Sequence, residues 1–343
     1  MIYAWRKKTV FLLAVVPTVL VGLLSGEARA EPSNSVINHG WEIVWNSAEA
    51  TLRHVESGKE ALLFRDEKGE TEEDGFVNHS MLSVVGTVVS YSTEWYSEGG
   101  AHPSYGMNYR TVDLSKLDPA KMGDDGIRGP AADLSELFGA KAVFRRLAGE
   151  PAVQAAIAGT FSEIGGEAHP APKSLDALLK AADGGCRADM GKQLLSDFRF
   201  SFRLGGKIAV VQVGLSHGCE VMRGEFTRLG RLYFPIPENL AEDFERAARA
   251  GALEERPFQK PSYDCRKAGT PIEYAICSNA KLARLDVAMA ARYGELRKKN
   301  PGDAGKTIKT AQRDWIKQRN KDCAGGNVDC LIESYETRLA AMK

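Results

Sequence analysis

The sequence predicts an α+β unit, an antiparallel sheet with helices on one face, followed by a small all-α bundle stapled by disulfides. Three observations point there. Runs rich in Val, Thr and aromatic residues cluster at 81–115 and 197–236, with helix-patterned stretches between them. Beyond residue 278 apolar residues keep the spacing of one helix face. Six cysteines stand at 186, 219, 265, 277, 323 and 330, four of them from residue 265 onward.

The chain opens MIYAWRKKTVFLLAVVPTVLVGLLSGEARA, a basic start, an apolar run and an A-x-A close at Ala28–Ala30. This reads as a secretory signal peptide over 1–30, cleaved before Glu31. Export to the periplasm or beyond is the expectation, with no membrane span after cleavage, because no second apolar run is long enough. In such a compartment disulfides persist. An even cysteine count without C-x2-C or H-x3-H spacing favours bridges over zinc, and no cofactor is implied.

Residues 31–250 form the expected α+β unit. The run MLSVVGTVVSYSTEWYS (81–97) reads as strand, EGGAHPSYG (98–106) as a glycine-containing loop, and MNYRTVDLS (107–115) as the returning strand. LSELFGAKAVFRRLAG and AVQAAIAGTF carry helical spacing. FRFSFRLG, KIAVVQVGL and GEFTRLGRLYFPI read as three further strands, and ENLAEDFERAARA as a helix. Cys186 and Cys219 are expected to pair.

Residues 251–262, within GALEERPFQKPSYDC, have linker composition, and 263–343 form the expected bundle. The charge changes sign across this boundary. Residues 31–260 carry 25 basic and 34 acidic side chains, whereas 261–343 carry 16 Lys/Arg and 10 Asp/Glu. The basic part has no concentrated patch with interleaved aromatics, which argues against a nucleic-acid partner.

In the bundle, Thr270 and Glu273 have capping-box spacing and Pro271 suits a first helical position. Ser278 reads as the N-cap of the next helix, whose apolar face runs Leu282, Leu285, Met289, Tyr293 and Leu296 until Asn300-Pro301-Gly302 stops it. A second helix is expected over about 304–321, with Ile308, Ala311 and Trp315 on its apolar side, and a third over about 330–342. Cys265, Cys277, Cys323 and Cys330 can gather at one pole of three antiparallel helices. Three pairings are open.

The stretch YDCRKAGTPIEYAICSNAKLARLDVAMAARYGEL, with AQRDWIKQRNKDC and CLIESYETRLAAM, resembles the LprI-type lysozyme inhibitor domain over about 263–342. The resemblance implies a binding module that is not an enzyme. More distantly, YSEGGAHPSYGMNYRTVDLS, ADLSELF and GRLYFPIPENL resemble the extracytoplasmic domain of RsiV-like anti-sigma factors, where a G-G-A-H-P loop joins two strands and founding members sense lysozyme. Together they imply an exported protein whose partner is lysozyme or another muramidase, blocked by occupation of its cleft. A non-inhibitory envelope scaffold and an envelope enzyme of unknown type are the alternatives.

Candidate contact residues are Trp95, Tyr96, His102 and Tyr105 around the glycine loop, since interfaces favour aromatic anchors. Gly99 and Gly100 supply the turn, and His102 is expected to brace it. GLSHG at 214–218 satisfies G-x-S-x-G, but His217 is the last histidine in the chain and no helix follows, so a serine hydrolase is not expected.

Overall fold

The computed structural model describes residues 33–68, 75–98, 103–122, 129–158, 170–183, 189–217 and 225–342, and Ser33–Lys343 make one compact unit. The expected signal peptide, the Cys186–Cys219 pair, and Gly99, Gly100 and His102 lie outside the described residues.

The described residues form three sheets. The first is an antiparallel meander, β1 (Asn34–Asn38), β2 (Trp41–Trp45), β3 (Glu49–His54) and β4 (Glu60–Arg65). Sequence reasoning did not single it out, although WEIVW alternates and a His39-Gly40 turn precedes it. The second runs β5 (Glu67–Lys68), β6 (Phe76–Val85), β7 (Val88–Ser97) and β8 (Ser104–Asp113) in chain order, again antiparallel. The stretch 81–97, read as one strand, is therefore the end of one strand and the whole of the next. Gly86 makes the turn between them at φ +58°, where a non-glycine residue would be strained.

Among the described residues, five α-helices follow: α1 (Leu134–Phe138), α2 (Ala140–Leu147), α3 (Pro151–Ile157), α4 (Leu175–Ala182) and α5 (Met190–Ser196). The first helical stretch breaks at Gly139, which holds φ +82°. The third sheet contains β9 (Phe198–Leu204), β10 (Ile208–His217), β11 (Glu225–Arg228) and β12 (Leu232–Pro235). After α6 (Ala241–Arg249), the two-residue β13 (Glu255–Arg256) joins β9 in parallel, so the expected linker contributes an edge to the sheet. β10 is central, with β9 on one side and β11 and β12 on the other.

The pairing of β9 with β10 shifts register between Val210 and Val211, opposite Phe202 and Phe200. Ser201 is the extra residue, and such a bulge turns the strand over. Phe198 and Phe200 consequently enter the core shared with α1–α6, together with Ala209, Val211, Val213 and Leu215. Phe202 and Leu204 enter the opposite core, with Ile208, Val210 and Tyr233. That second core is closed by α7 (Pro271–Ser278), α8 (Ala280–Lys299), α9 (Asp303–Asp322) and α10 (Val328–Ala341). A third core joins the first sheet to β6–β8 through Trp41, Ile43, Leu52, Val84, Val89 and Val112.

Candidate functional site: the tied helices and an aromatic strand tip

Thr270 caps α7 in a full capping box. Its Oγ1 accepts from Glu273 N at 3.2 Å, and Glu273 Oε2 accepts from Thr270 N at 3.0 Å. Pro271 opens the helix, where no N–H is needed. The next N-cap is Asn279, not Ser278: Asn279 Oδ1 accepts from Lys281 N and Leu282 N at 2.9 and 3.1 Å. Ser278 stays in α7, and its hydroxyl donates back to Ala275 O at 3.1 Å.

Both disulfides among the described residues are local. Cys265–Cys277 ties a 3-10 turn at Cys265–Lys267 to the last turn of α7, and Cys323–Cys330 ties the end of α9 to the start of α10. Their sequence separations are 12 and 7 residues. Each bridge fixes a junction between helices rather than joining distant ones.

The motif residues converge on one half-buried network around the buried Tyr335 ring. The Tyr335 hydroxyl donates to Asp286 Oδ1 at 2.8 Å, and Arg319 Nη1 donates to that hydroxyl at 2.8 Å. Asp286 Oδ2 accepts from Ser262 N and Oγ at 2.8 and 2.6 Å, which binds the incoming chain to α8. The Trp315 ring meets Tyr335 edge-on at 5.2 Å, and the Arg319 guanidinium lies over both rings. Burial pushes the Tyr335 phenol above its ordinary pKa, with Arg319 opposing and the Asp286 charge reinforcing, so it stays a neutral donor. Tyr263 is raised in the same way, burial first, and donates to Glu273 O at 2.9 Å.

On α9 the inward residues are half-buried Ile308 and Trp315 and buried Gln312, whereas Ala311 is exposed. Ala311 was expected inside. One helical step places Gln312 there instead, where its amide oxygen accepts from Arg338 at 3.3 Å. The outward side of α9 carries Lys306, Lys309, Arg313, Lys317 and Lys321, all exposed and three or four residues apart.

The other candidate lies at the far end of β6–β8. Buried Val88–Tyr91 give way to partly exposed Ser92–Ser97 along β7, so these strands run beyond the core. Phe76, Tyr96 and Tyr105 are paired in one row across the three strands. Tyr105 is 66% exposed, the most exposed large hydrophobic side chain among the described residues. Trp95 pairs with Gly106, and a Cβ at 106 would overlap its indole ring. The structure thus brings Trp95, Tyr96 and Tyr105 together at one tip. The Tyr96 hydroxyl donates to Glu98 at 2.7 Å, and that bond raises its pKa.

Ser216 of the G-x-S-x-G stretch is on β10, where its Oγ donates to Met107 O at 2.6 Å. It is committed to joining β10 to β8 and has no nucleophile-elbow setting. Among the described residues no three His, Cys, Asp or Glu side chains are grouped as metal ligands, and no helix is long and apolar enough to cross a membrane.

Residues 264–342 match the family model described as lysozyme inhibitor LprI. No curated protein and no solved structure matches the chain. The matched span contains both described disulfides and, apart from Ser262 and Tyr263, the whole Tyr335 network.

Proposed function

We propose that the protein is an exported, periplasmic binding protein that inhibits lysozyme or a related muramidase by occupying its cleft. The match over 264–342, with the motif residues assembled in one tied network, carries this reading. Two disulfides suit an oxidising compartment. Inhibition of this kind needs no catalytic residue, cofactor or metal, only a rigid surface that excludes glycan.

The helical unit 263–343 carries the resemblance, and the 31–250 unit carries the contact tip, with 251–262 between them. Trp95, Tyr96 and Tyr105, together with His102 of the same sequence stretch, are the contact residues, because a projecting aromatic tip can enter a concave site. Electrostatics favour the same side. Residues 31–260 hold nine more acidic than basic side chains and would attract a basic muramidase, whereas the α9 row would repel one.

Purified protein tested in a lysozyme turbidity assay at low and high salt decides the matter. Protection of the cell-wall substrate at micromolar protein, weakening with salt, is expected. Absence of both protection and a detectable complex overturns the reading.

A further inference from the structure

A second site lies at the base of β8, apart from the aromatic tip. A cleft of about 340 Å³ opens between the edge of β8 and α5, lined by Asn108, Tyr109, Arg110, Lys192 and Asp197, with Asp189 at the start of α5. Four of these side chains are charged, Arg110 and Lys192 against Asp189 and Asp197, and none of the four forms an ion pair with another described residue. Arg110 lies beside the Tyr91 hydroxyl, Ser196 donates to Asp197 Oδ1 at 2.7 Å, and Lys192 and Asp189 are exposed on the rim.

Two features set this cleft apart from a solvated surface. Asn108 Oδ1 is buried without a hydrogen-bond partner, an arrangement that is uncommon in a native fold. The Asp197 carboxyl is pushed up to about 6 by burial, against the hydrogen bond from Ser196 and the charges of Arg110 and Lys192. A carboxylate that is costly to bury and lines a cleft marks a candidate functional position. Asp189 adds backbone strain, holding φ +64° at the mouth.

The strand edge is also open here. Segment 130–132 closes β8 through Asp113 N to Pro130 O and Ala132 N to Thr111 O. Ser216 Oγ closes it at Met107 O. Between these closures Tyr109 lines the cleft on the same edge, and the alternation of the ladder turns its N–H and C=O away from β7, where an extended ligand could pair with them.

We propose that this cleft binds a small dipeptide with free termini, its ammonium held by Asp197 and the Asn108 amide, its carboxylate by Lys192 and Arg110, and its central amide by the Tyr109 backbone. A purely anionic ligand would meet Asp197 and Asp189, and a purely cationic one Lys192 and Arg110. Only a zwitterion satisfies both pairs. Volume agrees: about 340 Å³ leaves room for a two-residue peptide. The Asn108 side chain can present oxygen or nitrogen by rotation about its terminal bond.

Isothermal titration of the full chain with alanyl-alanine, its N-acetyl form and its C-terminal amide tests this. The free dipeptide is expected to bind with a Kd of about 1 mM or tighter. Capping either end is expected to weaken binding roughly tenfold or more, as are Asp197→Asn and, for the uncapped peptide, Lys192→Gln. Exposed Lys309→Gln on α9 should leave the titration unchanged. Asp197→Asn removes a buried charge without removing volume, so circular dichroism should report a folded variant. No heat with the free dipeptide, or binding indifferent to both caps and to Asp197→Asn, overturns the proposal.

Discussion

The Tyr335 hydroxyl stands between two partners, donating to Asp286 at 2.8 Å while accepting from Arg319 at 2.8 Å. Three separate sequence motifs, on α8, α9 and α10, meet at this one oxygen. Tyr335→Phe keeps the ring in the core but leaves Asp286 and Arg319 each short of a partner. Urea denaturation should show a loss of about 1–3 kcal/mol with near-native circular dichroism. A neutral result would remove the network as the organiser of the helices.

The disulfides should differ only modestly in their contributions. A short closed loop restricts the unfolded chain less than a longer one. Removing Cys265–Cys277 with paired serines is expected to cost about 2–3 kcal/mol, and removing Cys323–Cys330 about 0.5 kcal/mol less. Chemical denaturation of both double variants checks the order.

Gly106 is indispensable for a different reason. It is not a turn residue; it lies where Trp95 covers the backbone, and any side chain there displaces the indole. Gly106→Val should shift tryptophan fluorescence and, on the inhibitor reading, weaken protection of the cell-wall substrate roughly tenfold, about 1.4 kcal/mol. Unchanged inhibition with a displaced Trp95 would dissociate the tip from binding.

Asp197 gives a pH signature. Its carboxyl titrates near about 6 in the folded chain, above the ordinary 3.8. A raised acid contributes most below the unfolded value, and that contribution is lost as pH rises through the folded one. The native protein should therefore lose stability from this group between about pH 4 and 6. Asp197→Asn should stabilise by about 2 kcal/mol at pH 7 and hardly at all at pH 3, measured by urea denaturation at both values. A variant that is more stable yet no longer binds dipeptide would separate function from folding.

The helices of the C-terminal part were legible because their signals are local. Capping box, Pro271 and the Leu282–Leu296 spacing lie within a few residues of what they determine. Ser278 misled because Ser and Asn are both good caps, and the choice fell to the residue with extended backbone, Asn279. The strand run 81–97 concealed a turn because Gly86-Thr87 is not among the strongest hairpin pairs and strand-forming residues flank it on both sides. The disulfide pairing was open because spacing alone admits three solutions. The β8 cleft could not have been foreseen. Lys192 and Asp197 are ordinary residues more than eighty positions from Asn108, and only folding brings that strand to them.

Ser201 has a consequence for anyone dissecting the protein. By rotating β9 midway, it makes one strand serve as wall for two separate interiors, one lined by Phe198 and Phe200, the other by Phe202 and Leu204. Cutting the chain near residue 260 would strip the cover from Phe202, Val210 and Tyr233 on one fragment and from Ile272, Leu282 and Leu331 on the other. The fragments should cling to one another or precipitate, and co-expression as two chains should recover more soluble material than either alone.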